Sequence, residues 1–320
     1  MEKRLVQLPD GQYVVVDALG HRIYKTFMVV GSRYTCDKNC PYCTAKITLW
    51  PGGNNHWEQM ASQIERCERA GIRFEYLTMS GNGEPSKNPI GELRELRDVF
   101  DRFPHLFEYR RFQTSGNIFW NPEIFALFGH DHVFEITRVS LDSAEDMQGL
   151  CYNRDYTQAP AFQEARVVFN HCLLKANYHR LLEDIDAYIQ RYGRVLHSLN
   201  LKILNTNTFD ETQLSSRYSQ WILDTGLGKG DVDMVVAVMN NHFERVNDYN
   251  PFFDRFEWRH PSGMLITLYA RRTPYGLPNI VFYRGALVDY SLHPQHIELP
   301  EDVDLKALFN AAPEVARVRT

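Results

Sequence analysis

The sequence predicts an α/β protein whose body is a partial parallel (β/α)6 barrel, with an N-terminal β-hairpin and a C-terminal α/β extension. Three observations predict it. Short apolar, partly β-branched runs alternate with segments of helical periodicity over most of the chain. Repeated strand-then-helix order needs crossover connections, which make neighbouring strands parallel. Each chemically distinctive stretch directly follows a strand, the end at which the loops of such sheets converge on ligands.

The elements run as follows. "RLVQLPDGQYVVVDALGHRIYKT" has a strand pattern with turns at Asp10-Gly11 and Leu19-Gly20, a hairpin leading into the body. "TFMVVGSR" is the apolar run of a buried parallel strand. "NHWEQMASQIERCERAG" places Trp57, Met60, Ala61, Ile64 and Cys67 on one helical face and ends at Gly71. "FEYLTMSGNGEP" is a strand entering a glycine-bearing loop. Asn88-Pro89 and Asn121-Pro122 each offer an Asn cap with Pro at the first helical position, and the strand "YRRFQTSGN" lies between the two helices. "VFEITRVSLD" is the next strand, followed by a less clearly patterned segment to about Asn177. "HRLLEDIDAYIQRYG" is a helix. "HSLNLKIL" and "VDMVVAVM" read as strands, separated by a helix that Asp210 and Gln213 can cap. That makes six alternations. After Asn241 come the aromatic and basic "NPFFDRFEWRHP" and two strand-like runs, "GMLITLYARR" and "NIVFYRGALVDYSL". The chain thus divides into a hairpin (1–25), a core barrel (26–241) and an extension (242–320) that closes the barrel and shapes the substrate site.

At 320 residues, 44% hydrophobic and 13% aromatic, the chain can bury a large core, and it has no low-complexity tract or fixed-period repeat. A net charge of −5 supplies no global basic field to recruit nucleic acid or anionic lipid. The first residues lack the apolar core of a signal peptide, and no run of about 18 apolar residues could span a bilayer, so a cytoplasmic protein is expected. In a reducing compartment the six cysteines read as metal ligands or packed thiols rather than disulfides.

Three of them, Cys36, Cys40 and Cys43, crowd into "YTCDKNCPYCTAK" at C-x3-C-x2-C spacing behind the first parallel strand. Three thiolates suit an iron-sulfur cluster with one iron left open, since cubane clusters usually take four cysteines. A zinc site needs a fourth ligand, for which His56 is the nearest candidate, and no second closely spaced pair is present. Cys67 lies on an apolar helix face and reads as core, while Cys151 and Cys172 fall outside metal spacing.

On these motifs the chain resembles radical S-adenosylmethionine (SAM) enzymes, across about residues 26–240. The resemblance implies a TIM-barrel-like fold, a 4Fe-4S cluster held by Cys36, Cys40 and Cys43, and SAM chelating the open iron through its amino and carboxylate groups. Tyr42 matches a position near the adenine. Asn82-Gly83-Glu84 matches the family's Gly-Gly-Glu loop for the SAM amino group, with Asn82 in place of the first glycine. Thr114-Ser115-Gly116 resembles the turn after the third strand, and Ser140-Leu141-Asp142 the fourth-strand segment whose serine contacts SAM. "LKILNTNTFDETQL" is similar to the fifth-strand segment of the branch that includes the molybdenum-cofactor GTP cyclase, which puts Lys202 on a lysine that binds the SAM carboxylate. "VVAVMN" resembles that branch's sixth strand and places Met239 near the adenine. Taken singly, each piece has an ordinary structural explanation. In sequence order, each at a strand end, they share one.

The implied chemistry is reductive cleavage of SAM to methionine and a 5'-deoxyadenosyl radical that abstracts hydrogen from a substrate, with an electron donor such as flavodoxin or ferredoxin. No cysteine follows Cys172, so the second cluster of the GTP cyclase is not expected and its reaction is in doubt. A small-molecule substrate (nucleotide, sugar or amino acid) is the first reading. Modification of RNA or a peptide is the second, and a non-catalytic zinc or iron-sulfur module is the third. Arg271, Arg272 and the segment Phe252 to His260 are candidates for contacting an anionic or planar substrate.

Overall fold

The structure, a computed structural model, describes residues 2–30, 36, 40, 43, 56–80, 83–139, 156–204, 217–227, 231–250, 255–269, 279–283, 285–289, 296–299, 304–311 and 317–318. The chain opens with an antiparallel hairpin of β1 (Lys3–Gln7) and β2 (Tyr13–Asp17). Its turn uses Gly11 at φ +88°, a left-handed conformation that side chains with a Cβ rarely adopt. A second turn at Gly20 is held by the Asp17 carboxylate, which accepts from the backbone N–H groups of Leu19 and His21.

The body then alternates strand and helix: β3 (Arg22–Val30), α1 (Trp57–Arg69), β4 (Ile72–Ser80), α2 (Ile90–Arg102), β5 (Phe107–Gln113), α3 (Pro122–Phe128) and β6 (His132–Arg138). There follow β7 (Val167–Leu173), α4 (Leu181–Tyr192), β8 (Leu196–Ile203), α5 (Arg217–Thr225) and α6 (Asp231–His242). Strands β3 to β8 pair in sequence order, all parallel. A meander of β9 (Glu244–Asn250), β10 (Arg255–Arg259) and β11 (Leu265–Tyr269) joins one edge, where β11 runs parallel to β8. At the other edge β12 (Asn279–Tyr283) runs parallel to β3 and turns back into β13 (Ala286–Asp289). The C-terminal α7 (Leu305–Ala311) packs Leu305 and Phe309 on Val6, Leu8 and Val16 of the hairpin, and β14 (Arg317–Val318) pairs with β1.

From β4 to β8 the sheet has two unlike faces. Leu77, Met79, Phe112, Phe134, Ile136, Phe169, Leu199 and Leu201 belong to the main apolar core. There Phe112 meets Phe128 of α3, Phe134 stacks on Phe125, and Phe169 packs on Tyr188 of α4. Tyr76, Ser80, Arg111, Gln113, Glu135, Asn170, Asn200 and Lys202 alternate with them on the other face. The sheet curls round this polar face. Arg255 on β10 donates to the Tyr76 hydroxyl on β4 at 3.2 Å, although five strands separate the two in the sheet order. The result is the expected partial barrel, with the C-terminal strands extending both edges.

Three expectations change. The segment before Asn177 holds β7, the fifth parallel strand, with all seven of its residues buried. "VDMVVAVM" lies in the helix α6 and not in a strand. Asp231 and Asp233 sit in its first turn, and Val232, Val235 and Met239 are buried at helical spacing. Lys202 is therefore on the sixth parallel strand and not the fifth. At α2, Asn88 does not cap the helix; its side-chain amide donates to the Pro85 carbonyl at 2.7 Å. Asn121 does cap α3, accepting from the Ile124 N–H at 3.1 Å.

The hairpin is pinned to the barrel by Lys3, whose ammonium meets Glu75 of β4 at 2.5 Å and Glu108 of β5 at 2.8 Å. Lys3 and Glu75 are both buried, and removing one partner of a buried pair strands the other's charge. Lys3→Met is expected to lower stability by about 3 kcal/mol, read as a lower urea midpoint at unchanged m. Adding Glu75→Leu should recover most of the loss. A single variant with the wild-type midpoint would show that the pair does not hold the hairpin.

Candidate active site

The carboxyl ends of the parallel strands carry the motifs. Cys36, Cys40 and Cys43 follow β3: Cys36 is exposed, and Cys40 and Cys43 are half-buried. The Cys43 N–H donates to the Cys40 carbonyl at 3.2 Å, so a turn holds these two together, and Cys40 packs on the main core. Tyr42 lies outside the described residues. Among the described residues no three His, Cys, Asp or Glu side chains gather round a point that one metal ion could occupy. A cubane cluster makes a different demand, one thiolate at each of three separate irons, and three partly accessible thiols on one short loop are a donor set that fits it. Cys67 is packed in the core as expected, its thiol pushed up to about 12 by burial, and Cys172 is buried on β7. Cys151 lies outside the described residues.

Glu84, four residues after the end of β4, is 2% exposed and organises the next two loops. Its Oε1 accepts from the Ser86 hydroxyl at 2.6 Å, the Ser86 N–H at 3.2 Å and the Thr114 hydroxyl at 2.8 Å. Its Oε2 accepts from the Ser115 N–H at 2.5 Å and the Ser115 hydroxyl at 2.7 Å. Five donors occupy one carboxylate, so Glu84 ties the loop after β4 to the loop after β5. Gly116, at φ +96°, completes the second loop, its N–H donating to the Thr114 hydroxyl oxygen at 2.9 Å. The structure therefore brings Gly83, Glu84, Thr114 and Ser115 together at one edge. Asn82, Ser140, Asp142, Arg271 and Arg272 fall outside the described residues.

Below that edge the polar face is continuous. The Ser80 hydroxyl donates to Gln113 at 2.6 Å, and the Gln113 amide donates to Glu135 at 3.1 Å. Glu135 also pairs with Arg111 at 2.8 Å, and the Asn200 amide donates to Asn170 at 2.8 Å. Burial alone would raise the Glu135 carboxyl, but Arg111 and then Lys202 hold it below the usual range. Lys202 thus sits at the sixth strand's end facing an acid on β6. Met239, fully buried in the core on α6, is at no strand end, which removes the ground for placing it beside an adenine. Sequence reading missed Arg111, Glu135 and Asn170. The signal is clearest for Glu135, a polar residue set between Phe134 and Ile136 in an otherwise apolar stretch of strand. From the segment Phe252 to His260, Arg255 turns onto this same face, while 252–254 lie outside the described residues.

No protein-family model matches the chain, and no curated protein matches it. Among solved structures it is similar to Streptococcus suis SuiB bound to the precursor peptide SuiA, at 13% identity over 63% of this chain and 46% of that one, with a TM-score of 0.41. It is also similar to anSMEcpe with bound AdoMet and the Cp18Cys peptide, at 12% identity over 69% and 60% with a TM-score of 0.46. A third is the FeFe-hydrogenase maturase HydG from Carboxydothermus hydrogenoformans, at 12% over 68% and 57% with a TM-score of 0.39. The chain spans between 46% and 60% of the length of these structures. Likenesses at this level decide nothing about chemistry, which rests on the residues themselves.

Because five donors converge on Glu84, Glu84→Ala should do more than weaken ligand binding. It leaves the buried hydroxyls and N–H groups of Ser86 and Thr114, and the half-buried ones of Ser115, without their carboxylate acceptor, a loss of about 3 kcal/mol. Urea unfolding checks this, and Glu84→Gln should fall between the two because its amide nitrogen cannot accept. An unchanged midpoint in Glu84→Ala would mean the two loops hold themselves.

Proposed function

We propose that the chain is a radical SAM enzyme that binds a 4Fe-4S cluster and SAM and acts on a small molecule. The observation that carries this reading is the C-x3-C-x2-C loop at the carboxyl end of the first parallel strand, on the same edge as the Glu84-tied loops of the next two. When bound, the cluster and SAM supply one-electron cleavage to methionine and a 5'-deoxyadenosyl radical.

Each residue then has a part. Cys36, Cys40 and Cys43 would hold the cluster, with Cys36 exposed toward an electron donor of the flavodoxin or ferredoxin kind. Gly83 offers backbone groups to the SAM amino group, and Tyr42, Asn82, Ser115, Ser140 and Asp142 are assigned to SAM by resemblance. Glu84 positions the Gly83 and Thr114 loops and is not itself spare to bind a ligand, all its acceptor sites being taken. Lys202, at a strand end, keeps the role of partner for the SAM carboxylate, now from the sixth strand. The division into hairpin (1–25), core (26–241) and extension (242–320) belongs to the same proposal. A lumen spanned from β4 to β10 by Arg255 and Tyr76 favours a small substrate over a polymer.

Anaerobic reconstitution with iron and sulfide, followed by dithionite and SAM, should yield 5'-deoxyadenosine by mass spectrometry. Cys36→Ala, Cys40→Ala and Cys43→Ala should each abolish it, and full activity in any of them would sink the assignment. Lys202→Ala should retain the cluster absorbance and weaken SAM binding about tenfold. Zinc without acid-labile sulfide in the purified, well-folded protein would favour a non-catalytic metal module instead.

A further inference from the structure

The inner face of the barrel gathers cations. Arg111 on β5 lies over the Tyr76 ring at 3.4 Å, pairs with Glu135 at 2.8 Å and lies close enough to Tyr269 for its charge to act on that hydroxyl. Arg255 on β10 reaches the Tyr76 hydroxyl at 3.2 Å and faces Glu257 at 3.0 Å. Lys25 on β3 stands 5.5 Å from the centre of the Tyr269 ring. Lys202 on β8 is the register partner of Tyr269 and shares Glu135 with Arg111. Four cations from four strands thus surround two carboxylates. Glu75, a further acid on β4, is taken up by Lys3 at 2.5 Å on the hairpin side.

These groups are not sealed away. The Arg111 side chain is 21% exposed, and Lys25, Lys202 and Tyr269 are half-buried. A concave, low-dielectric wall lined mainly by one sign of charge focuses field and concentrates counter-ions. Guanidinium forks match the planar or tetrahedral oxygens of carboxylate and phosphate. Tyr269 responds to the same excess: burial alone would raise its hydroxyl, and Arg111, Arg255 and Lys25 outweigh burial and lower it. Arg111 precedes Gln113 by two residues, so it lies about 7 Å deeper than the loop edge assigned to SAM.

We propose that Arg111, Arg255 and Lys25, arrayed round Tyr269, form the subsite for an anionic group, carboxylate or phosphate, on a small substrate. This deepens the reading of the chain as an enzyme acting on a small molecule, and rests on it. The subsite adjoins the Lys202 end at which SAM would sit, since Tyr269 is the register partner of Lys202, and Arg111 extends it deeper into the barrel.

The test titrates the full chain calorimetrically with inorganic phosphate and, separately, with acetate, at ionic strength held constant with sodium chloride. Saturable uptake of phosphate points to a phosphorylated substrate, and saturable uptake of acetate alone to a carboxylate. Arg255→Gln should weaken the preferred anion about tenfold, and the half-buried Lys25→Gln should weaken it less. Arg94→Gln, which removes a surface ion pair with Glu123, should leave it unchanged. The Lys25 variant carries the test if Arg255→Gln fails to fold, as checked by circular dichroism. Uptake of neither anion, or equal uptake by wild type and both lumen variants, overturns the proposal. Displacement of bound phosphate by SAM from the reconstituted protein also overturns it, because the cations would then serve the SAM carboxylate. The anion titration needs neither cluster nor SAM, so its failure is distinguishable from a failure to form 5'-deoxyadenosine.

Discussion

The position of Arg111 is the constraint on which the barrel depends. One guanidinium lies over Tyr76 on β4, pairs with Glu135 on β6 and acts electrostatically on Tyr269 of β11, strands from both halves of the curled sheet. Burying a charge on a sheet face is costly unless it is paired: Arg111 is paired by Glu135 on the neighbouring strand, and the curl adds the Tyr76–Arg255 contact across the barrel. The opposite face supplies the driving force, through aromatic and aliphatic side chains packed under α1 to α4. The apolar face makes the layers stick, and the polar face determines how they bend. Arg255 strengthens the same closure from β10.

Glu84 does for the loops what Arg111 does for the strands. A carboxylate with two oxygens saturated by two neighbouring loops leaves those loops little freedom. The backbone of Gly83 and the Thr114 turn are therefore presented at one edge in a fixed relation, which is the preorganisation a cofactor site requires. Each such tie draws on side chains from different strands, so the site exists only once the sheet has formed.

How much of this could be read in the sequence depends on whether the signal is local. The hairpin, the helices α1 and α4 and the loop cysteines follow from turn glycines, apolar periodicity and spacing, all carried by adjacent residues. The strand β7 was hidden because burial on both faces removes alternation: "VVFNHCL" carries an Asn and a His inside. The helix α6 misled for the converse reason. Its β-branched valines favour strands, yet the spacing of Val232, Val235 and Met239 and the first-turn aspartates decide for helix. Those two errors offset each other in the count of six and moved Lys202 by one strand. Contacts between distant strands, such as Arg255 with Tyr76, leave no mark in local sequence.

Net charge illustrates the same limit and bears on the substrate. The chain carries −5 overall, while the lumen face presents Lys25, Arg111, Lys202 and Arg255 against Glu135 and Glu257. At physiological salt a charge is screened beyond about 8 Å, so a ligand outside the barrel feels little of the lumen cations and one inside meets them directly. A polyanion such as RNA must satisfy both fields along its length and gains nothing from the outer one. A small anion that enters the lumen meets only the inner one. On the proposal made above, the arrangement would select by size as well as by sign, because a cationic interior in a chain of net charge −5 would favour a compact anion over a polyanion.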